Sequence, residues 1–325
     1  MNKNINDVQI GVSGQMVSTG RKSTGQRVWD KIWRNRYIYL MILPVVIYFV
    51  VFKYWPMGWL AIAFKDYKIL KGFSGSEWIG LQHFQTLFSN PDFFKLIGNT
   101  LLLNIYSLAF CFTSPIIFAI LLNEIKNSAF KRVTQTISYL PHFLSTVIMV
   151  SMVMTFLSPS LGVLNNIMSS MGLEKINFLS EPQYFRTIMV ISGIWQQVGW
   201  GSIIYLSALT GIDPSLYEAA TVDGASKFKQ ILHITLPGIS TTIIIMLILQ
   251  IGNLMSVNFE KIYLFQNPLN LSVSETLPTY VYKMGMINSN YGLATAIGLF
   301  NSVISLGLVL FANRVSKKFS EVTVM

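Results

Sequence analysis

The stretch YEAATVDGASKFKQILHITLP, Tyr217 to Pro237, decides how this chain of 325 residues is read. It is charged, broken by a glycine and helix-forming, yet it lies between two apolar runs, one ending near Leu209 and the other beginning at Ile239. Just upstream, Asp213 and Pro214 read as an N-cap and first helical residue, and Ser215 with Glu218 offers an alternative capping box. The helix predicted from there runs through Glu218, Ala219 and Ala220 toward Asp223, where Gly224 can supply a left-handed stop. A second short helix then sets Phe228, Ile231, Leu232 and Thr235 on one face and Lys227, Lys229, Gln230 and His233 on the other, until Pro237 opens the next apolar run. Neither helix can bury an apolar face alone, so the pair needs a surface to lie on.

The rest of the chain supplies that surface. It is 52% hydrophobic and 12% charged, with a mean hydropathy of +0.51, where a soluble domain is roughly a quarter charged. Apolar runs approach the roughly 20 residues that a bilayer requires near Ile38 to Phe52 (extended to about Phe64), Leu96 to Leu122, Ile137 to Leu157, Thr187 to Leu209, Ile239 to Val257 and Leu293 to Ala312. These runs predict an all-α integral membrane protein with six transmembrane helices. Its expected parts are a flexible N-terminal tail (1–36), a first helix with an outer loop (37–94), a core of five helices carrying the inserted segment 213–237 (95–313), and a C-terminal tail (314–325). The tail at 1–36 lacks the apolar centre of a cleaved signal peptide.

The net charge of +10 raises nucleic acid as a partner, and its distribution removes the need for one. With the N-terminus inside, Lys53, Lys65, Lys68, Lys71, Lys95, Lys175, Arg186, Lys261 and Lys283 fall in outer loops, leaving fifteen of the twenty-four basic residues in the shorter inner segments. That bias fits the positive-inside rule, with both termini cytoplasmic. Chemistry is sparse. His83, His142 and His233 lie far apart with no Cys or carboxylate at ligand spacing. Gly20 and Gly25 are spaced as in a phosphate-binding loop, but Gln26 and Arg27 come next where Lys and a hydroxyl residue belong. Cys111, the sole cysteine, reads as a small packed hydrophobe.

All fourteen carboxylates fall in loops, tails or helix ends, which disfavours a carrier with its own proton or sodium site. An intramembrane enzyme would need paired acids or an activated nucleophile, and none is visible. The apolar runs do carry amides, hydroxyls and aromatic rings, densest at Trp195, Gln196, Gln197 and Trp200. Single amides in membrane helices often only join helices. Amides beside indole faces also suit a neutral ligand rich in hydroxyls, such as a sugar. A polyamine route would favour acids in the spans and an anion route would favour bases, so a neutral contact surface is expected.

Glu218-Ala219-Ala220, Asp223-Gly224-Ala225, Ile234 and Leu236-Pro237 resemble the EAA loop of permease subunits in binding-protein-dependent ABC importers, with Ile231 where Phe is common. Trp78-Ile79-Gly80-Leu81-Gln82-His83-Phe84, Asn90-Pro91 and Asn99-Thr100-Leu101 are similar to the maltose-type carbohydrate group, and the chain from Trp33 onward to its complex-oligosaccharide branch. The resemblance implies a type I ABC importer permease fold and a noncatalytic subunit in a bacterial plasma membrane. Its partners would be a second permease in a heterodimer, two ATPase subunits and an extracellular sugar-binding lipoprotein. The chain itself would hold no cofactor, ATP and Mg being bound by the ATPases. Docking on an ATPase would fall to Glu218, Ala219, Ala220, Asp223, Gly224, Ala225, Phe228 and Ile231. By position relative to this loop the substrate site falls near His142, Thr146, Gly193, Gln197 and Asn253, joined by Trp195, Gln196 and Trp200 from the residue reading. The same architecture carrying a peptide or an ion is the alternative.

Overall fold

The computed structural model describes Gly25, Trp29, Lys31, and residues 33–252 and 258–319. By internal contacts the chain divides into a unit up to Trp59 and a larger unit from Leu60 onward. The first helix, α1 (Arg36–Phe64), has no buried residue over Arg36–Phe49. A helix that is apolar all round suits a lipid surrounding.

After α1 the chain forms a small ribbon. Strand β1 (Lys65–Asp66) pairs antiparallel with β2 (Glu77–Trp78), and α2 (Gln82–Phe88) comes next. Trp78 stacks on Phe64 with centroids 5.7 Å apart, and Phe84 packs on the same ring. Gly80, at φ +61°, makes the turn that lets its amide donate to the Phe64 carbonyl at 3.1 Å.

Helix α3 (Phe93–Glu124) is long enough to cross a membrane and contains a π-helical turn at Ser107–Cys111. Two of its polar residues tie the helix to a distant loop. Asn99 Nδ2 donates to the carbonyls of Ser272 and Glu275, each at 3.1 Å, and the Leu277 amide donates to Thr100 Oγ1 at 2.9 Å.

The expected third span, Ile137 to Leu157, is not one helix. Helix α4 (Ser128–Phe143) meets α5 (Thr146–Leu157) at 104°. Pro141 cannot donate a backbone hydrogen bond, and Ser145 caps α5 by accepting from the Ile148 amide at 3.3 Å. The Leu144 carbonyl, left without a helical partner, accepts from Gln196 Nε2 at 3.3 Å. Helix α6 (Val163–Ser170) is anchored by Asn165, which is fully buried and bonds both the amide and the carbonyl of Ile176.

Helix α7 (Pro182–Leu209) has 28 residues, about 42 Å at 1.5 Å each. Its glycines let neighbours approach closely: a β-carbon on Gly199 would meet the Ser138 backbone of α4, and one on Gly201 would lie 3.0 Å from Pro115 of α3. Helices α8 (Pro214–Val222), α9 (Lys227–Gly238) and α10 (Ser240–Gly252) come next, with a 62° bend between α9 and α10. The next apolar helix therefore opens at Ser240 rather than at Pro237, which lies inside α9. Helix α11 (Phe259–Phe265), α12 (Leu277–Tyr282) and α13 (Tyr291–Phe319) complete the described chain.

By length and apolarity, α1, α3 and α13 qualify as spans among the described residues, and five do if α4 with α5 and α9 with α10 each count as one. Helix α7 has the length, but its glutamines lower its apolarity. Two apolar clusters bracket its middle. One joins Leu103, Met149, Phe185, Met189 and Phe265 from α3, α5, α7 and α11. The other joins Ile116, Ile120, Tyr205, Leu209 and Ile239 at the far end.

Candidate coupling segment and intramembrane cavity

Asp213 caps α8, its carboxylate accepting from the Ser215 amide at 2.9 Å, so the first of the two capping schemes forms. That bond holds the carboxyl below its ordinary range. Gly224 stands at φ +74°, and behind it the Ala225 amide donates to the Ala220 carbonyl at 2.8 Å, closing the helix end. Gln230 pins the turn from inside, donating to Thr221 Oγ1 at 3.0 Å and to the Ala225 carbonyl at 3.3 Å. Tyr217 and Thr235 pair their hydroxyls at 3.0 Å across the two helices.

These bonds correct the expected faces of α9. Gln230 is only 4% exposed and Thr235 3%, whereas Phe228 is 74% exposed. An amide is the group that satisfies buried carbonyls, so it turns inward, and the π-helical turn at Ile231–Thr235 shifts the phase of the residues beyond it. Ile231 is half-buried against the cluster around Ile239, leaving Glu218, Ala219, Asp223, Gly224 and Phe228 exposed with Val222, while Ala220 and Ala225 sit half-buried beneath. Glu218 joins no ion pair among the described residues. Lys227 does, reaching Glu124 at the end of α3 at 3.2 Å.

Within the helical body, α3, α7, α10 and α11 line a half-open cavity of about 600 Å³, within the roughly 300–1,000 Å³ range of small-ligand sites. Asn104 and Ser107 come from α3, Gly193 and Gln197 from α7, Gln250 from α10 and Lys261 from α11. The π-helical turn of α3 contributes Ser107 and Cys111, so the sole cysteine is a wall residue rather than simple packing.

The predicted site residues divide by helix face. Gly193, Gln197 and Trp200 share one side of α7 at i, i+4 and i+7. His142 comes to them from the end of α4. Its Nδ1 lies 3.1 Å from Gln197 Oε1, and its ring stacks flat on Trp200 with centroids 4.5 Å apart. Thr146 opens α5 one step beyond the break, and Gln196 secures that break through Leu144. Trp195 lies on the far side of α7 and is not brought to the cavity. Asn253 lies outside the described residues.

Lys261 is the residue that sequence reasoning misplaced. The charge distribution puts it in an outer loop, but it is only 5% exposed and its Nζ donates to the Met189 carbonyl of α7 at 2.9 Å. The signal that could have found it is helical spacing, since Lys261 shares a face with Phe265 one turn on. A second hollow, of about 590 Å³, lies beside α2 and α12 near Gln82, Asn90 and Tyr280, away from all of these residues.

Comparison with known proteins places this geometry. Residues 112–321 match the family described as binding-protein-dependent transport system inner membrane component. The chain is 46% identical over 288 residues to Protein LplB of Bacillus subtilis (strain 168), covering 89% of this chain and 91% of that one. It is also 46% identical over 301 residues to the polygalacturonan/rhamnogalacturonan transport system permease protein YteP of the same organism, covering 93% and 94%. Among solved structures, it is similar to a chain of a bacterial ABC transporter involved in import of the acidic polysaccharide alginate, with a TM-score of 0.85 at 43% identity, covering 90% of this chain and 99% of that one. A further structure of a bacterial alginate ABC transporter, in complex with an alginate pentasaccharide-bound periplasmic protein, matches with a TM-score of 0.86 at 42% identity, covering 92% and 100%. With the match over most of its length and relatives this similar, the chain belongs to the inner membrane components of binding-protein-dependent transport systems.

Proposed function

We propose that this chain is a noncatalytic permease subunit of an ABC importer that admits an oligosaccharide released from a larger polysaccharide. The sugar is delivered by an extracellular binding protein, and movement is driven by two ATPase subunits that hold ATP and Mg. In this reading six spans cross a bacterial plasma membrane: α1, α3, α4 with α5, α7, α10 and α13. Both termini and the α8–α9 turn face the cytoplasm, and a second, similar permease completes the pathway. The division expected from the sequence (1–36, 37–94, 95–313 and 314–325) belongs to the same proposal.

The observation that carries this reading is the α8–α9 turn. It exposes Glu218, an acid in no ion pair among the described residues, beside two apolar side chains, Val222 and Phe228, while its own underside is bonded through Tyr217, Gln230 and Thr235. That combination suits docking into a basic, apolar cleft, with Glu218 forming a charge-assisted contact and the apolar pair filling the centre. Closure of the ATPases would then push through α9, its ion pair to Glu124 and the 62° bend into α10. The substrate would meet Gly193 and Gln197 in the cavity wall and His142 and Trp200 beside it, with Gln196 holding the broken helix in place, and Thr146 and Asn253 stay among the contacts expected from the sequence.

Uptake of labelled oligosaccharides tests this, comparing cells that carry wild type, a deletion or Glu218→Ala. The expected result is loss of one class of glycan in both mutants while the Glu218→Ala protein stays in the membrane. Unchanged glycan uptake in the deletion would overturn the sugar reading and turn attention to a peptide or ion cargo.

A further inference from the structure

The sequence leads one to expect a neutral cavity surface, and the cavity does not present one. Lys261 lies in its wall, 5% exposed, and joins no ion pair among the described residues. Its Nζ has one acceptor there, the Met189 carbonyl at 2.9 Å. An ammonium carries three donors, and the Met189 carbonyl takes one of them, which leaves two that a ligand's acceptors can use. The geometry beside it is arranged for access. A β-carbon on Gly193 would fall 3.4 Å from Lys261 Nζ and 3.0 Å from Cys111 Sγ, so the absence of a side chain at Gly193 keeps the ammonium open to the cavity.

A charge inside the membrane-spanning body without a counter-charge is costly, and such a group marks a pathway or a ligand. The other groups lining the space are neutral: Asn104, Ser107, Gln197 and Gln250 offer amides and a hydroxyl, matched to sugar hydroxyls. One fixed cation among several neutral polar groups describes the complement of a sugar bearing a carboxylate.

We infer that Lys261 is the specificity-determining cation of this cavity and that the oligosaccharide it admits is acidic, carrying uronate carboxylates that pass the Lys261 ammonium over Gly193. This rests on the reading of the chain as an oligosaccharide permease. It adds the charge class of the cargo and the residue that reads it.

The test uses the whole transporter in cells and two probes, a galacturonate trisaccharide and the same trisaccharide with its carboxyls reduced to alcohols. Lys261→Gln, with Lys261→Met as a second neutral variant if the first fails to accumulate, should lower uptake of the acidic sugar by at least about tenfold, since a buried charged contact is lost. Lys261→Arg should retain most of it. Uptake of the reduced sugar, which offers no charge to pair, should match wild type in all variants. Equal loss of both sugars would assign Lys261 to helix packing and overturn the inference. So would wild-type uptake of the acidic sugar by the neutral variants, and in either case the oligosaccharide reading stands. If wild type takes up neither probe nor any other glycan, that reading falls and this inference falls with it.

Discussion

The α8–α9 turn and the cavity around Lys261 are built by opposite means. The turn is local: its cap, its glycine, its pinning amide and its exposed ridge all come from residues 213–238, and bonds between near neighbours hold it. The cavity is assembled from four helices, and its polar groups come from residues as far apart as Asn104 and Lys261. The cap and stop of a local device can be read from spacing, because those bonds join residues within a turn or two, while the Tyr217–Thr235 and Gln230–Thr221 bonds reach across 18 and 9 residues. An assembled site can be read only once the helices have been packed, because which face of each helix looks inward is set by its neighbours.

Substitutions can break this contrast from either side. The largest effect should come from Gly199→Leu, on the side of the packed helices. The Ser138 backbone already fills the space beside Gly199, and backbone cannot yield as a side chain can. The protein should fail to accumulate in the membrane, which immunoblotting of membrane fractions reads directly. If Gly199→Leu accumulates and transports normally, α4 and α7 do not approach as closely as the Ser138–Gly199 contact requires.

On the local side, Gly224→Val should leave the protein inserted but uncoupled. A left-handed residue other than glycine costs about 1–2 kcal/mol, a β-branched one more, and the turn at φ +74° would have to reshape. Uptake should fall by about tenfold or more at unchanged abundance, the scale of a misplaced charge-assisted contact. Normal uptake would remove the turn from the coupling path.

His142→Ala probes the join between the two regimes. It removes the flat stack on Trp200 and the contact with Gln197, worth about 1 kcal/mol. The apparent KM for uptake should rise roughly fivefold by that energy, at unchanged abundance. An unchanged KM would place His142 in the helix break alone.

The smallest effect is expected at Asp213. Its carboxyl titrates below the usual range because it accepts from the Ser215 amide, so it stabilises the start of α8 above the unfolded pKa. That stabilisation is lost as pH falls through the lowered value. The protection factor against hydrogen exchange at the first turn of α8 should fall in acid in wild type, and Asp213→Ala should show the lowered protection at neutral pH. An Asp213→Ala protein with slow exchange would mean that Pro214 alone fixes the helix start.

Much of this protein was set by its sequence alone. The apolar runs require a membrane, because their area cannot be covered by so little polar surface. The Asp213-Pro214 start and the Gly224 stop come from capping rules that act over a few residues. The tertiary structure decided where helices break and which faces meet. Pro141 and Ser145 split a run that reads as continuous, and Gln196 covers the carbonyl this frees, a partner 52 residues away. The grouping at Trp195, Gln196, Gln197 and Trp200 reads as one cluster, but a helix sends its members to different sides. Lys261 reads as a loop residue, because charge in a short polar stretch usually faces water. Only the packing of α11 against α7 turned it inward, beside a glycine that leaves its ammonium room.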